Sequence, residues 1–211
     1  MHNLNIDLDT FPFYKREIVG GKRVANKCGR DFLYYALTYY LPSKYGKNSS
    51  APSLEQNKKF GTPVSALFAW TMIQFRKMPQ YLISEGLGLS INGNKIRSFS
   101  DFIKAILFSR MGLEQALCTI ETAIDEGRTP GVDISIAVGG LLDHVMFVYG
   151  YDEDNLYVFE TTEAPIKYVN MDPRYPQVMK LSKEEIKKRW TRFGRVWEVS
   201  NVDTMLDSLK K

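Results

Sequence analysis

Cysteine and histidine are scarce in this sequence, and their scarcity limits the chemistry open to the chain. The 211 residues include two cysteines, Cys28 and Cys118, and two histidines, His2 and His144. Two cysteines are too few for a disulfide scaffold and favour a reducing compartment, although one Cys28–Cys118 bond in an exported protein is the alternative. The four residues match no zinc-binding spacing. We therefore expect no metal site.

Long apolar runs and a signal peptide are also lacking. No stretch approaches the ~18 consecutive apolar residues of a membrane span, and residues 1–20 contain acidic side chains but no apolar core. The net charge is +4, and the only basic cluster, Lys183–Arg195, has the pattern of a solvated helix face. We expect a cytoplasmic protein that neither spans a membrane nor binds nucleic acid.

The hydrophobic pattern changes along the chain from a helical period to the alternation typical of strands. Residues 28–41 predict a helix, because apolar side chains recur at i, i+4 spacing, Asn26 is a suitable N-cap and Pro42 follows the end. Further helices are predicted at 63–77, 101–110, 113–127 and 182–190. Strands are predicted at 133–138, 144–151, 155–160 and 195–200, and a tight turn within 84–96. Helices followed by mostly antiparallel strands indicate the α+β class.

The predicted elements form a single domain over residues 1–211, because no repeat or low-complexity linker divides them. A helical lobe is expected at about 26–127 and a sheet lobe at about 130–200. Residues 1–21 and 202–211 are predicted to be irregular tails.

Cys28 stands at the predicted start of the first helix, which is a suitable place for a nucleophile. The first turn of a helix has unpaired backbone N–H groups and a partial positive charge, which stabilise an anionic sulfur or an oxyanion. Gly29 leaves room for a substrate backbone. Cys118 falls mid-helix among apolar neighbours and is interpreted as structural. Isolated cysteines are usually small core residues, so Cys28 needs a partner base to count as a nucleophile.

His144 is the candidate base because it opens an apolar strand, whereas His2 lies at the terminus. Glu160 closes the next strand and is the candidate to orient the imidazole. A three-residue connection at 152–154 would pair Met146 with Glu160 and put His144 and Glu160 on one face, whereas a two-residue connection would put them on opposite faces. Rivals for the orienting role are Thr161, Thr162, Glu163 and, less well placed, Asp143.

Three segments occur in an order that resembles the papain-like cysteine peptidases, in particular the bacteriocin-processing type that removes double-glycine leaders. They are NKCGRDFLYYAL at 26–37, DHVMFVYGYDEDNLYVFE at 143–160, and the LSKEEIKKRW helix followed by the GRVWEV strand at 181–199. That family has Cys-Gly at a helix start, a His beginning a strand and an acidic residue closing the next strand. The resemblance covers residues 22–200 and implies a papain-like fold with Cys28 as nucleophile, His144 as base and Glu160 as orienter.

Two positions depart from the family pattern. The family usually has a glutamine before the cysteine as an oxyanion donor, but Lys22 stands there and no glutamine precedes Gln56. Lys22 or Asn26 is then the substitute, or the oxyanion hole consists of backbone N–H groups near Gly29 alone. Loss of one donor typically costs ~10²–10³ in turnover, which weakens an enzyme without abolishing it. The second departure is a glutamate, Glu160, in place of the usual aspartate.

The predicted function is a cysteine peptidase or thiol hydrolase that cleaves a peptide or protein substrate through a Cys28 thioester. It needs no cofactor, because a thiolate–imidazolium pair is sufficient. An acyl or amide transferase would use the same thioester, and a catalytically weak or inactive binding module would retain the fold without the chemistry. Phe32, Tyr34 and Tyr35 are predicted to form an aromatic wall of the peptide cleft.

Overall fold

The computed structural model describes residues 1–11, 13, 18–19, 22–23, 28–45, 78–135, 143–160, 168–191 and 194–202. The helices of these ranges are α1 Cys28–Tyr40, α2 Pro42–Tyr45, α3 Met78–Ser84, α4 Phe99–Phe108, α5 Leu113–Asp125 and α6 Lys183–Arg189. The strands are β1 His2–Asn3, β2 Ile18–Val19, β3 Lys22–Arg23, β4 Leu87–Ile91, β5 Asn94–Ile96, β6 Thr129–Ser135, β7 Asp143–Tyr151, β8 Asn155–Phe159, β9 Val169–Asn170, β10 Val178–Ser182 and β11 Arg195–Asn201. None of the described helices is both long and apolar enough to cross a membrane.

One antiparallel sheet organises the described part of the chain and confirms the α+β class. Its strand order is β5-β4-β11-β6-β7-β8-β10-β9, and β1 pairs with the hairpin end of β7. All of β6 and nearly all of β7 are buried, because these central strands have neighbours on both edges and helices against them. Both α1 and α5 contact β6 and β7. The middle of the sheet is therefore the buried centre of the fold.

The helix that begins at Cys28 packs on the central strands through aromatic side chains. The ring of Phe32 lies 6.1 Å from that of Phe147 on β7 and 6.0 Å from that of Trp197 on β11, centre to centre. Gly131 on β6 permits this close approach, because a Cβ atom there would lie 2.7 Å from the Phe32 ring. The contact fixes the position of α1, and with it Cys28, relative to the strands.

The predicted aromatic wall of a cleft is wrong, because its three residues lie in the core. Phe32 and Tyr35 are each 1% exposed and Tyr34 is 5% exposed. The Tyr35 ring packs edge-on against Phe147 and Phe159. The helix turns this side toward the sheet, so the three aromatic residues join α1 to the core and line no open surface.

A hairpin that the sequence does not predict as strands adds β4 and β5 to the sheet. Asn92 and Gly93 connect them with φ of 49° and 76°, the left-handed conformations of a type I′ turn. This turn agrees with the tight turn expected within 84–96. β4 pairs with β11 near the other end of the chain, so the predicted helical lobe contributes two strands to the sheet.

The predicted irregular tail at 1–21 contains two short strands, β1 and β2. His2 and Asn3 form β1 opposite Tyr151 and Gly150, and Leu4 after them is buried. His2 therefore lies at the hairpin end of β7, while His144 lies at the opposite end of the same strand. The predicted helix at 63–77 and the tail from 203 onward lie outside the described residues.

We expect Gly131→Ala to destabilise the protein by about 1–3 kcal/mol. The added methyl group would overlap the Phe32 ring and lie 3.2 Å from the carbonyl oxygen of Met146. Urea denaturation measures the change in the free energy of unfolding. In a Phe32→Leu background the ring atoms are missing, so the same glycine substitution should cost less. An equal loss of free energy of unfolding in both backgrounds would contradict the proposed packing of Phe32 against Gly131.

Candidate active site

Cys28 is the first residue of α1, and its partly buried side chain packs against the core. Both cysteines are free, so the alternative Cys28–Cys118 bond is not formed. The backbone N–H groups of a first helical turn have no intrahelical acceptors and can bind negative charge beside this sulfur. Gly29, which follows, is buried within the same turn.

His144 and Glu160 form a buried pair at the ends of neighbouring strands. Nε2 of His144 lies 3.1 Å from Oε1 and 2.9 Å from Oε2 of Glu160. The two side chains are 4% and 2% exposed. A carboxylate only accepts hydrogen bonds, so Nε2 carries a proton and donates it toward both oxygens. Glu160 thus fixes the orientation of the imidazole ring.

The connection between β7 and β8 differs from the predicted three residues. Tyr151 pairs with Leu156 instead of Asn155. Continued without interruption, this register would place His144 and Glu160 on opposite faces of the sheet, because a one-residue slip inverts every side chain. The predicted connection is therefore wrong at the hairpin end.

A β-bulge in the middle of β7 restores the register that the site requires. Beyond a one-residue shift there, Phe147 pairs with Phe159. Met146 consequently lies opposite Glu160, and His144 follows two residues along on the same face. The shared face of His144 and Glu160 is therefore present, although it arises from a longer turn and a bulge together.

Cys28 and Glu160 both influence the protonation of His144. Burial alone would lower the pKa of His144, but hydrogen bonding to Cys28 and Glu160, with the negative charges of both, raises it to about 10. The raised pKa favours the protonated imidazole.

The sequence offers no signal for Tyr168, whose buried hydroxyl lies near the site. This hydroxyl donates to Sδ of Met146 at 3.1 Å. Burial and, next, the negative charge of Glu160 raise the pKa of Tyr168 well above its usual range. Tyr168 precedes the edge strand β9 and belongs to no motif, so only the folded chain brings it to the site.

For the other predicted oxyanion donors and orienting residues, the structure describes little of the chain. Lys22 lies on β3 opposite Val19, but its side chain is outside the described part of the chain. The other residues outside the described ranges are Asn26, Thr161, Thr162 and Glu163. The oxyanion roles of Lys22 and Asn26, and the rival roles of residues 161–163, therefore stay predictions.

Asp143, the rival next to His144 in sequence, binds an arginine instead of the imidazole. Its Oδ2 lies 3.1 Å from Nη1 of Arg195, which is also 3.3 Å from Oδ2 of Asp133. Adjacent strand residues point to opposite faces, which explains the separation from His144. Arg195 is buried, so the predicted solvated face over 183–195 is wrong for its last residue.

Cys118 is exposed on α5, and its interpretation as a packed structural residue is wrong. Ala116 and Ile120, two residues to either side of it, are the ones that face the core. The apolar neighbours in sequence misled the prediction because only one side of this helix is buried.

Comparison with known proteins gives no relative from which to transfer a function. No protein-family model matches the chain, and no curated protein is significantly similar to it. Within the described ranges, no group of three or more His, Cys, Asp and Glu side chains is arranged to hold a metal ion. The function has to be argued from the geometry around His144.

We expect Cys28→Ala to lower the pKa of His144 from about 10, because the hydrogen bond and the negative charge of the sulfur both raise it. NMR titration of the imidazole resonances measures this directly. The chain has two histidines, so a His2→Gln variant leaves the His144 signal alone in the spectrum. The matched control is Cys118→Ala on the exposed side of α5, which should leave the titration unchanged. An unaltered His144 pKa in Cys28→Ala would show that the sulfur does not act on the ring.

Proposed function

We propose that the chain is a cysteine peptidase or related thiol hydrolase with Cys28 as nucleophile, His144 as acid and base, and Glu160 as the orienting carboxylate. The observation that carries the proposal is the buried imidazole of His144, which lies within hydrogen-bond distance of both oxygens of Glu160 and whose pKa Cys28 and Glu160 together raise. Thiol enzymes activate a sulfur nucleophile through such a series of sulfur, imidazole and orienting group.

In the proposed acylation step, Cys28 attacks as a thiolate paired with the imidazolium of His144, and its sulfur forms a bond to the carbonyl carbon of the substrate. The carbonyl oxygen becomes an oxyanion, which the unpaired N–H groups at the start of α1 can stabilise. The proton on His144, held there by its raised pKa, passes to the leaving nitrogen. The C–N bond then breaks, an amine leaves, and a thioester on Cys28 remains.

In the proposed deacylation step, His144 has lost its proton and acts as a base. It removes a proton from water while the oxygen attacks the thioester carbon. The C–S bond breaks, a carboxylic acid leaves, and the sulfur and the imidazolium return to their starting state. Glu160 keeps the ring in one orientation through both steps, because both of its oxygens hold Nε2.

The order of elements supports a papain-like fold for the chain. The cysteine begins α1, the histidine lies on β7, the glutamate follows β8, and a helix and a last strand come after them. The helix with Cys28 packs on an antiparallel sheet, which is compatible with that fold. By this resemblance the substrate is a peptide or protein and no cofactor takes part. A cytoplasmic location stays a prediction.

A catalytically inactive binding module is the second candidate, and the sequence before Cys28 favours it. The oxyanion-donating glutamine of the resembled family is absent there. Such a module would bind its partner without forming a thioester. An acyl transferase, in contrast, would form the thioester and pass the acyl group to an amine instead of water.

We expect iodoacetamide to alkylate Cys28 faster than Cys118 at pH 6, because the imidazolium of His144 stabilises the anionic sulfur. Mass spectrometry of the digested protein gives both rates from one sample. Cys118 is the more exposed of the two and serves as the internal reference. His144→Ala should remove the advantage of Cys28 and leave Cys118 unchanged. Slower reaction at Cys28 in the wild type, or no effect of His144→Ala, would contradict an activated nucleophile.

Activity toward a peptide library then separates the candidate functions. Cys28→Ala should reduce peptide cleavage by at least about three orders of magnitude, because the nucleophile is lost. Cys118→Ala is the matched control and should retain the wild-type rate. Cleavage that survives Cys28→Ala would contradict the proposal. Partner binding without product release in the wild type would favour the binding module, and amide products with added amines would favour the transferase.

A further inference from the structure

We propose that Arg195 is a positioning residue, which binds Asp143 and thereby holds the strand end that carries His144. The inference rests on the proposed function for its catalytic meaning, and it gives a role to a buried ion cluster outside the three proposed catalytic residues. The cluster consists of Arg195 with the carboxylates of Asp133 and Asp143. It lies on the face of the sheet opposite His144, because adjacent strand residues point to opposite faces.

One guanidinium joins three neighbouring strands and a helix. Nη1 of Arg195 donates to Oδ2 of Asp143 at 3.1 Å and to Oδ2 of Asp133 at 3.3 Å. Nη2 donates to the carbonyl oxygen of Ile106 on α4 at 3.0 Å. Arg195 begins β11, Asp133 lies on β6 and Asp143 begins β7. The arginine therefore holds the ends of these strands together on one side of the sheet.

Strand pairing explains why this contact bears on His144. Asp143 lies opposite Ser135 and His144 opposite Ile134, and these are the last two pairs of the ladder between β6 and β7. The end of a ladder opens more readily than its centre, because fewer contacts hold it. The hydrogen bond from Arg195 restrains the final pair. The next residue along β7 is the proposed acid and base.

The charges of the cluster make the position of Asp143 depend on Arg195. Arg195 and Asp133 are each 4% exposed, so the attraction between them is weakly screened. Burial raises the pKa of both carboxyl groups, that of Asp133 to about 6, and the positive charge of Arg195 opposes both shifts. Asp133 also accepts a hydrogen bond from the indole N–H of Trp197 at 3.2 Å. Without Arg195, two carboxylates would repel each other, and Asp143 would lose the donor that binds its Oδ2.

The first test is Arg195→Met, which keeps an unbranched apolar side chain and removes the guanidinium. We expect the pKa of His144, measured by NMR in the His2→Gln background, to fall by about one unit from its value of about 10. The reason is that an opened strand end moves the imidazole away from Glu160. Asp143→Ala removes the same hydrogen bond from the other side and should lower this pKa by a similar amount.

The signs of the two shifts separate positioning from direct electrostatics. Loss of the positive charge of Arg195 would by itself raise the pKa of His144, whereas loss of the negative charge of Asp143 would lower it. Positioning lowers the pKa in both variants, and the double variant should show little further fall, because both changes remove one contact. A rise or no change in Arg195→Met, or full additivity in the double variant, would overturn the proposal. This readout needs no substrate, so the expected fall together with cleavage that survives Cys28→Ala would overturn the proposed function alone.

A matched control lies at the opposite end of β6. Arg128 there also binds two carboxylates, those of Glu126 and Glu198. Arg128→Met should lower stability and leave the titration of His144 unchanged. Asp143→Asn removes a charge but keeps an oxygen that can accept from Arg195, so it should retain most of the His144 pKa. A fall in Arg128→Met as large as that in Arg195→Met, or equal falls in Asp143→Asn and Asp143→Ala, would count against the proposal.

Amide hydrogen exchange tests the opening of the strand end even if Arg195→Met fails to fold. In Asp143→Ala, exchange over residues 143–146 should speed up about tenfold, while exchange over residues 148–151 stays unchanged. Equal acceleration in both ranges, or none, would overturn the proposal. With an identified peptide substrate, Asp143→Ala should lower kcat about tenfold and leave KM unchanged, since the cluster acts on the imidazole and not on the substrate. A change in KM alone would contradict a positioning role.

Discussion

Burial of His144 and Glu160 as a charged pair is the constraint on which the site depends. Removing such charges from water costs several kcal/mol per ion unless their hydrogen bonds are satisfied. Here both carboxylate oxygens of Glu160 lie within hydrogen-bond distance of Nε2 of His144, and Cys28 acts with Glu160 to raise the pKa of the imidazole. Loss of one partner leaves a buried charge poorly compensated. The site therefore requires the start of α1 and the ends of β7 and β8 together.

The sheet meets this requirement because the paired residues lie on its central strands. β7 is hydrogen-bonded on both edges, so the bulge within it is held in place by its neighbours. The packing of the Phe32 ring against Gly131 sets where α1 begins relative to β7. Position of the sulfur thus follows from core packing, while orientation of the imidazole follows from strand register. A change to either part would alter the position of Cys28 relative to His144.

The candidate residues could be predicted from the sequence because each stands at the end of an element. Cys28 begins a helix, while His144 and Glu160 stand at strand ends beside turn signals. The register between them could not be derived in the same way. The longer hairpin connection and the bulge each shift the pairing by one residue, and the two shifts cancel. No local sequence pattern predicts a β-bulge. His144 and Glu160 therefore share a face as predicted, but through a strand pairing that the sequence did not predict.

Long-range contacts account for the rest of what the sequence could not predict. The pairing of β4 with β11, the burial of Arg195 between two aspartates and the approach of Tyr168 all join distant parts of the chain. Charge patterning describes only neighbours in sequence, so the basic cluster assigned Arg195 to a solvated helix face. Phe32 and Tyr35 show the same limit. The sequence predicts the helix that contains them, but it does not predict that these two side chains are buried against the sheet.

The position of the proton bears on the question of whether the missing glutamine prevents catalysis. The proposed attack starts from a thiolate paired with the protonated imidazole, so it needs no prior proton transfer. The remaining demands are to stabilise the oxyanion and to protonate the leaving nitrogen. Loss of one oxyanion donor raises the barrier by about 2.7–4 kcal/mol, which slows a reaction without removing its nucleophile or its acid. The choice between a slow enzyme and a binding module therefore depends more on the sulfur–imidazole contact than on the absent side chain.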